Sequence, residues 1–122
     1  MWLDRVTYDI DTAKAMLRTG RLIYAIFMCQ QSLEKCFKAL LAFEDKEVLP
    51  IHNLRRLAEL AEVIREMDEP TLVKLDFLSN YYITSRYKED LQQVSRGITE
   101  SVARDFIEFS EGVIAWLCQK IK

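Results

Sequence analysis

Three polar residues with groups that can bind a phosphate lie on one face of an otherwise apolar segment. Gln31, Lys35 and Lys38 stand at positions i, i+4 and i+7, so a helix places one amide and two ammonium groups on the same side. This spacing fits the basic wall of a phosphate-binding groove. It is also typical of a solvated helix face, on which Glu34 and Lys38 form an i, i+4 ion pair.

A second set of residues, in an aromatic and polar stretch further along the chain, could complete such a groove. Arg86 carries a guanidinium that suits phosphate oxygens, and Tyr81, Tyr82 and Tyr87 carry rings on which a nucleobase could stack. Each also has a structural interpretation. A cation near a helix C-terminus is favoured by the helix dipole, and aromatic residues at helical spacing are commonly part of the core.

The sequence predicts no metal site. A single histidine, His52, and three dispersed cysteines do not supply a zinc ligand set. Cys29 and Cys36 are seven residues apart, roughly 10 Å along a helix, which is too far for a disulfide, so these two and Cys118 are interpreted as reduced core residues. The carboxylates that a magnesium ion would need are interpreted as surface charge: Asp9, Asp11, Glu89 and Asp90.

Length and composition indicate one soluble helical domain that spans residues 1–122. Half of the 122 residues are hydrophobic and 30% are charged, and three glycines with two prolines supply too few turns for an all-β chain. The formal net charge is −2, so any contact with a polyanion must come from a local basic patch.

No segment of the sequence predicts a membrane anchor or a signal peptide. The longest apolar run, 22–29, is far shorter than the roughly 20 residues that span a bilayer. Asp4 and Arg5 interrupt the N-terminus before an apolar stretch could form. The expected location is therefore the cytoplasm.

The segment 21–44 is predicted to be the central helix around which the fold is built. One apolar stripe recurs at alternating gaps of four and three residues: Leu22, Ile26, Cys29, Leu33, Cys36, Leu40 and Phe43. A second row widens it: Ile23, Phe27, Phe37 and Leu41. Gln30 and Glu34 interrupt the stripe halfway. A helix this apolar has to be packed on several sides.

Four further helices are predicted. The first covers about 3–18 and ends at Gly20, a typical helix C-cap. The third begins near Asn53, with His52 capping or packing just before it, and reaches Met67. The fourth covers about 71–85, with Pro70 in its first turn, and 88–98 is a loop or a frayed helix end.

The fifth helix covers about 99–120. Its predicted buried face is Val102, Phe106, Phe109, Val113 and Trp116, supported by Ile107, Ile114 and Leu117. The expected fold is all-α, an up-and-down antiparallel four-helix bundle with an additional short helix, which makes five helices.

Three blocks of residues resemble one family. Helix two carries Tyr24-Ala25, then Gln30-Gln31-Ser32-Leu33-Glu34-Lys35, then Lys38-Ala39-Leu40-Leu41; helix three opens with His52-Asn53-Leu54; and helix four ends with Tyr82 followed by Ser85-Arg86-Tyr87. In order and spacing these blocks resemble the HEPN domain (higher eukaryotes and prokaryotes nucleotide-binding), with its aromatic-x-x-QQ-x-x-E-K-x-x-K-A-L-L helix, its H-x-L and its Y-x-x-x-R-Y-P.

The resemblance implies a HEPN-like fold, a homodimer in which the arginine-bearing regions approach one another, and a nucleotide such as ATP, or an RNA, as ligand. The residues that would bind the nucleotide or its phosphates are Gln31, Lys35, Lys38, Arg86 and Tyr87, with Tyr24, Glu34, His52 and Tyr82 as secondary candidates.

Two departures from the family pattern affect the predicted activity. Lys88 stands where the family often has proline. The ribonuclease signature of many HEPN proteins is an arginine, four to six residues of any kind, and a histidine; counted from Arg86, those positions are Leu91, Gln92 and Gln93. Since histidine is the side chain best suited to metal-free proton transfer near pH 7, no catalytic residue is predicted.

Three functional hypotheses follow. The first is a non-catalytic nucleotide- or RNA-binding module that works with a separately encoded minimal nucleotidyltransferase, in a toxin–antitoxin-like pair. The second is a metal-independent ribonuclease toxin with an atypical site. The third is a bundle whose only task is dimerisation.

Overall fold

The longest helix in the described part of the molecule lies at its centre. The computed structural model describes residues 2–84 and 97–121, with the backbone alone for 82–84. Helix α2 (Leu22–Phe43) is contacted by α1 (Trp2–Arg18), α3 (Leu54–Leu60), α4 (Glu69–Thr84) and α5 (Glu100–Cys118). A 3₁₀ turn, Ile64–Glu66, precedes α4. All regular secondary structure in these residues is helical, so the predicted all-α bundle of five helices is confirmed.

The apolar stripe of α2 forms the middle of the core. Ile26, Cys29, Leu33, Cys36 and Phe37 have no solvent exposure. Because α1, α3, α4 and α5 each cover part of the α2 surface, this helix is packed on several sides, as its composition predicts.

The turn between α1 and α2 depends on a glycine. Gly20 has φ +77, its N–H donates to the Leu17 carbonyl, and the N–H of Arg21 donates to the Met16 carbonyl. These two bonds form a Schellman motif, in which a left-handed residue reverses the chain at low steric cost. The predicted cap at Gly20 is therefore confirmed.

Helix α3 is shorter than its apolar spacing predicts. It ends at Leu60, where Glu62 adopts φ 60 and the N–H of Val63 donates to the Ala58 carbonyl. This is again a Schellman motif, but without a glycine to mark it in the sequence. The predicted extension of this helix to Met67 is wrong. Val63 is buried, but it lies beyond the end of α3 and not within a helix.

Side-chain caps mark the starts of the later helices. Asn53 and Thr99 each accept a hydrogen bond from the backbone N–H three residues further on, and Asp68 does the same at the start of α4. Pro70 lies in the first turn of α4, where its missing N–H costs nothing. The predicted helix starts are thus correct to within about two residues, the usual margin for helix ends.

Helix α5 is rotated about its axis relative to the prediction. The buried residues of α5 are Ala103, Ile107, Ser110, Val113 and Leu117, whereas Phe106, Phe109 and Trp116 are only partly buried beside the core. The small side chains of Ala103 and Ser110 are fully buried, with Ser110 next to Cys29 of α2, and the rings lie on the flanks. The predicted buried face is therefore wrong at Phe106, Phe109 and Trp116, which lie beside the core and not in its centre.

Helices α4 and α5 both pack on α2, yet their backbones stay apart. No Cα atom in the described part of α4 lies within 8 Å of one in α5. Side chains bridge the space: the rings of Phe77 and Phe106 stack with centroids 4.8 Å apart, and the ammonium of Lys74 lies 5.1 Å from the ring centroid of Phe109. A groove therefore separates the two helices at the surface.

Among the described helices, none has the length and apolarity needed to cross a bilayer. Most of the predicted loop 88–98 falls outside the described residues, and so does the predicted end of the fourth helix at Ser85.

Candidate functional site

A cluster of polar side chains lies inside the junction between α2 and the start of α3. The Glu34 carboxylate accepts hydrogen bonds from Gln30 Nε2 on Oε1 (3.0 Å) and from Lys38 Nζ on Oε2 (3.0 Å). Nδ1 of His52 lies 2.9 Å from the same Oε1. Gln30 Nε2 also donates to the His52 carbonyl (3.0 Å). We refer to Gln30, Glu34, Lys38 and His52 as the polar cluster.

The polar cluster is held by one carboxylate that stays ionised. Burial alone raises the pKa of Glu34, but hydrogen bonds from Gln30, Lys38 and His52 together outweigh it and leave that pKa below the usual value. The exposed fractions of Glu34 and Lys38 are 6% and 7%. A buried charge of this kind requires a paired and hydrogen-bonded partner, which is the arrangement that these residues form.

The position of His52 suits proton transfer or phosphate contact. Its imidazole is oriented through Nδ1 by Glu34, and 44% of its side-chain surface is exposed. A carboxylate on one ring nitrogen fixes both the orientation and the tautomer of the ring. The sequence-based interpretation of His52 as a capping or packing residue omits this contact, because Glu34 is 18 residues away in the chain.

Lys35 points away from the polar cluster toward α1. Its ammonium pairs with the carboxylate of Asp9, which is 4% exposed. The prediction of Asp9 as a surface charge is therefore wrong: its carboxylate is buried between α1 and α2, where the lysine compensates its charge. Asp11 is exposed, as predicted.

The predicted polar face of α2 consequently divides in two. Lys38 lies in the polar cluster and Gln31 at its edge, where Gln31 Nε2 donates to Gln30 Oε1 (2.7 Å). Lys35 belongs to the contact with α1. The predicted ion pair between Glu34 and Lys38 is present, but its interpretation as part of a solvated face is wrong, since both residues are buried.

The candidate residues from helix four are mostly beyond the described structure. Arg86 and Tyr87 lie outside the described residues, and only the backbone of Tyr82 is described. The pairing of Arg86 with Lys38 therefore stays a prediction. Tyr81 is buried and its ring lies 4.8 Å from that of Phe77, which fits a core residue. Tyr24 is about half exposed on α2.

Two residues that support the site were not among the sequence candidates. Gln30 ties Glu34 to the backbone of His52, and Ser79 on α4 accepts a hydrogen bond from the N–H of Leu54 at the start of α3. The signal for Gln30 was present, since Gln30 and Glu34 interrupt the apolar stripe of α2. Nothing in the sequence around Ser79 distinguishes it from other helix serines.

The two fully buried cysteines, Cys29 and Cys36, carry thiols that are not activated. Burial raises the pKa of the Cys29 thiol to about 12 and also raises the pKa of Cys36, so neither thiol is a ready nucleophile. Within 2–84 and 97–121, no group of three or more His, Cys, Asp and Glu side chains could hold a metal ion.

Comparisons with known proteins extend these observations. A family model described as the HEPN domain matches residues 1–121. The crystal structure of TT1696 from Thermus thermophilus superposes with a TM-score of 0.79 at 22% identity, over 98% of this chain and 94% of that one. The crystal structure of ST0689, an archaeal HEPN homologue, gives 0.75 at 26% identity, over 99% and 95%. No curated protein sequence matches this chain.

Proposed function

Because this chain belongs to the HEPN domain family, we propose that it is a nucleotide- or RNA-binding HEPN module that has no catalytic activity of its own. In this proposal it forms a homodimer and acts beside a separately encoded minimal nucleotidyltransferase, in a toxin–antitoxin-like pair. The ligand is a nucleotide such as ATP, or an RNA, and its phosphates are the groups that the protein recognises.

The observation that carries the proposal is the shared carboxylate of the polar cluster. Glu34 holds the ammonium of Lys38 and the imidazole of His52 at the same place, and nearly half of the His52 side-chain surface faces solvent. As an imidazolium, His52 donates through both ring nitrogens and can bond a phosphate oxygen. The ammonium of Lys38, buried beside Glu34, adds positive charge at the same place. Because Gln30 bonds both the Glu34 carboxylate and the His52 carbonyl, the cluster is held in place and little ordering is needed when a ligand binds.

Binding of ATP and of a short single-stranded RNA is the direct test. A ligand that binds only the native state raises the melting temperature, by about 2.7 kcal/mol of added stability at a concentration 100 times the Kd. We expect such a rise with at least one of the two ligands. We expect Arg86→Ala and Lys38→Ala to abolish it, and the proposal is wrong if neither ligand has an effect.

A matched control separates loss of binding from loss of folding. Arg104→Ala removes one cation from an exposed ion pair on α5 and should leave ligand binding unchanged. Since Lys38→Ala also disturbs a buried pair, its binding is measured by calorimetric titration at a temperature where circular dichroism shows it folded. Equal loss of binding in Arg104→Ala would indicate a non-specific charge effect.

Two measurements test the proposed homodimer and the proposed partnership. Light scattering should give twice the monomer mass at micromolar protein concentration. Co-purification with the product of the neighbouring gene would support the nucleotidyltransferase partnership. A monomer with no nucleotide binding would contradict both parts, and a dimer without ligand binding would favour a purely structural dimerisation bundle.

A second candidate function is metal-independent RNA cleavage, which the contact between Glu34 and His52 favours. A carboxylate 2.9 Å from Nδ1 fixes the orientation and the tautomer of the imidazole, as general acid–base catalysis by a histidine requires. In EDTA, RNA cleavage should then fall by about 10² to 10⁴ in His52→Gln, the typical contribution of a general acid or base. Intact RNA at high protein concentration would eliminate this candidate.

A further inference from the structure

An open groove of about 380 Å³ lies between the start of α4 and the C-terminal half of α5. It exists because these two helices pack on α2 without approaching each other. One wall comes from the 3₁₀ turn and the start of α4, and the other from α5. The walls combine carboxylates with apolar and aromatic side chains, and we name this surface the acidic groove: Glu66, Met67, Asp68, Glu108, Phe109 and Trp116.

A glycine in the middle of α5 deepens the acidic groove. Gly112 lines the groove, and a Cβ atom placed there would meet no atom of the chain within 4 Å. Glycine inside a helix destabilises that helix relative to alanine. Because nothing within the described chain requires the missing side chain, the space above Gly112 is open to a group from another molecule.

The chain itself shows which kind of group the acidic groove accepts. The ammonium of Lys120 lies 3.0 Å from Glu66 Oε1 and 4.8 Å from the ring centroid of Trp116. A cation over an aromatic ring and next to a carboxylate is stabilised by both. The walls around Trp116 are thus built to hold a positively charged side chain that has an alkyl stem.

Two carboxylates of the groove make no ion pair among the described residues, although Lys74, whose ammonium lies over the Phe109 ring, acts on Asp68 through space. Asp68 and Glu108 are exposed, and within 2–84 and 97–121 neither makes an ion pair. Hydrogen bonds from the side chain and backbone of Thr71 hold the pKa of Asp68 below its usual value, so this carboxylate is charged. Lys120 pairs with Glu66 and Lys74 acts on Asp68, so the groove, with three carboxylates and these two ammonium groups, keeps a net negative charge.

We propose that the acidic groove is a docking site for a segment of a partner protein that presents a lysine or arginine side chain next to an apolar one. The cationic head lies between Asp68 and Glu108, and the apolar neighbour lies over Gly112 against Phe109 and Trp116. Complementary charge supplies orientation, and burial of the apolar group supplies affinity. This inference does not depend on the proposed nucleotide binding.

The test measures the intrinsic fluorescence of Trp116, which lines the acidic groove. The chain has two tryptophans, so the variant Trp2→Phe leaves Trp116 as the reporter. The probe is a synthetic helical peptide with leucines on one face and lysines on the other, and its counterpart has every lysine replaced by glutamate. We expect saturable changes in Trp116 emission with the lysine peptide, weaker at a salt concentration of about 0.5 M, and none with the glutamate peptide.

Charge variants with a matched control locate the site. Glu108→Gln should weaken binding of the lysine peptide about threefold to fivefold, the size of one exposed ion pair. Adding Asp68→Asn, which keeps the helix cap, should bring the loss to about tenfold. Asp11→Asn removes the same charge from an exposed position on α1 and should change the affinity less than about twofold.

A steric variant at Gly112, where an added Cβ meets no atom of the chain within 4 Å, tests the depth of the groove. Gly112→Leu fills the open space and should weaken binding at least about tenfold, because the apolar neighbour of the cation is excluded. Ala115→Leu, at an exposed position of α5 that does not line the groove, should bind as the parent does.

Three outcomes would overturn the proposal. One is an equal response of Trp116 to the lysine and glutamate peptides. A second is that Glu108→Gln and Gly112→Leu bind the lysine peptide with the same affinity as their controls, Asp11→Asn and Ala115→Leu. A third is a change of Trp116 emission with protein concentration alone, which would identify a second copy of this chain as the occupant.

Discussion

The polar cluster and the acidic groove use the same residue types in opposite ways. In the polar cluster one carboxylate, Glu34, faces two donors from α2 and one from the segment that precedes α3, and it is almost fully buried. In the acidic groove three carboxylates line an open surface, and Lys120 pairs with one of them. The first arrangement satisfies its charges within the chain. The second leaves charge available to another molecule.

This difference predicts how strongly the charges of each region contribute to stability. Removing one partner of a buried pair leaves an uncompensated charge in a low-dielectric interior. Removing one partner of an exposed pair leaves a charge that water solvates. Substitutions in the two regions should therefore differ in their effect on stability by several fold.

The largest expected effect is that of Glu34→Gln. It leaves the buried ammonium of Lys38 without its counter-charge, so we expect a loss of about 3–5 kcal/mol of unfolding free energy. Urea denaturation followed by circular dichroism measures it. The double variant Glu34→Gln with Lys38→Met should lose less than the sum of the two single variants, and additivity would show that the two residues do not act as a pair.

The stability of the protein should also depend on pH through the carboxylate of Glu34. The pKa of Glu34 is lower in the folded protein than its usual value, so its stabilising contribution is present above about pH 4.3 and is lost as the pH falls through the folded pKa. The free energy of unfolding, measured from about pH 6 to about pH 2, should decline below about pH 4.3. The decline should be shallower in Glu34→Gln. Parallel curves for the two proteins would contradict the assignment.

In the acidic groove, Gly112→Ala should stabilise the protein. Its Cβ would meet nothing within 4 Å, and alanine is about 1 kcal/mol more favourable than glycine inside a helix. A rise in melting temperature of a few degrees is expected. A fall would mean that the groove is closed by part of the chain.

The smallest expected effect is that of Glu66→Gln. Its ion pair with Lys120 is exposed, with 52% of the Glu66 side-chain surface open to solvent, so the change in unfolding free energy should stay below about 1 kcal/mol. A loss as large as that of Glu34→Gln would remove the distinction between the two regions.

The architecture could be predicted from the sequence because local signals agree with the fold. The apolar stripe of α2, the glycine at the end of α1, and the caps at Asn53 and Thr99 each specify their element within a few residues. The end of α3 could not be predicted, since Glu62 adopts a left-handed conformation that is usually taken by glycine.

The candidate site was less accessible to sequence reasoning because its contacts are long-range. The contacts of Glu34 with His52 and of Lys35 with Asp9 join residues 18 and 26 positions apart, and periodicity carries no information about such pairs. The rotation of α5 has a similar cause: a hydrophobic pattern shows which residues avoid water, but the small residues at a close helix contact determine which of them face the centre.

The separation of α4 from α5 also has a consequence for the order in which parts of the molecule open. Within 2–84 and 97–121, α3 and α4 contact each other and α2, and α4 reaches α5 through side chains without close backbone contact. Such a hairpin can detach as one cooperative unit while α1, α2 and α5 remain assembled. Its amide protons should then exchange with solvent before those of the three-helix remainder.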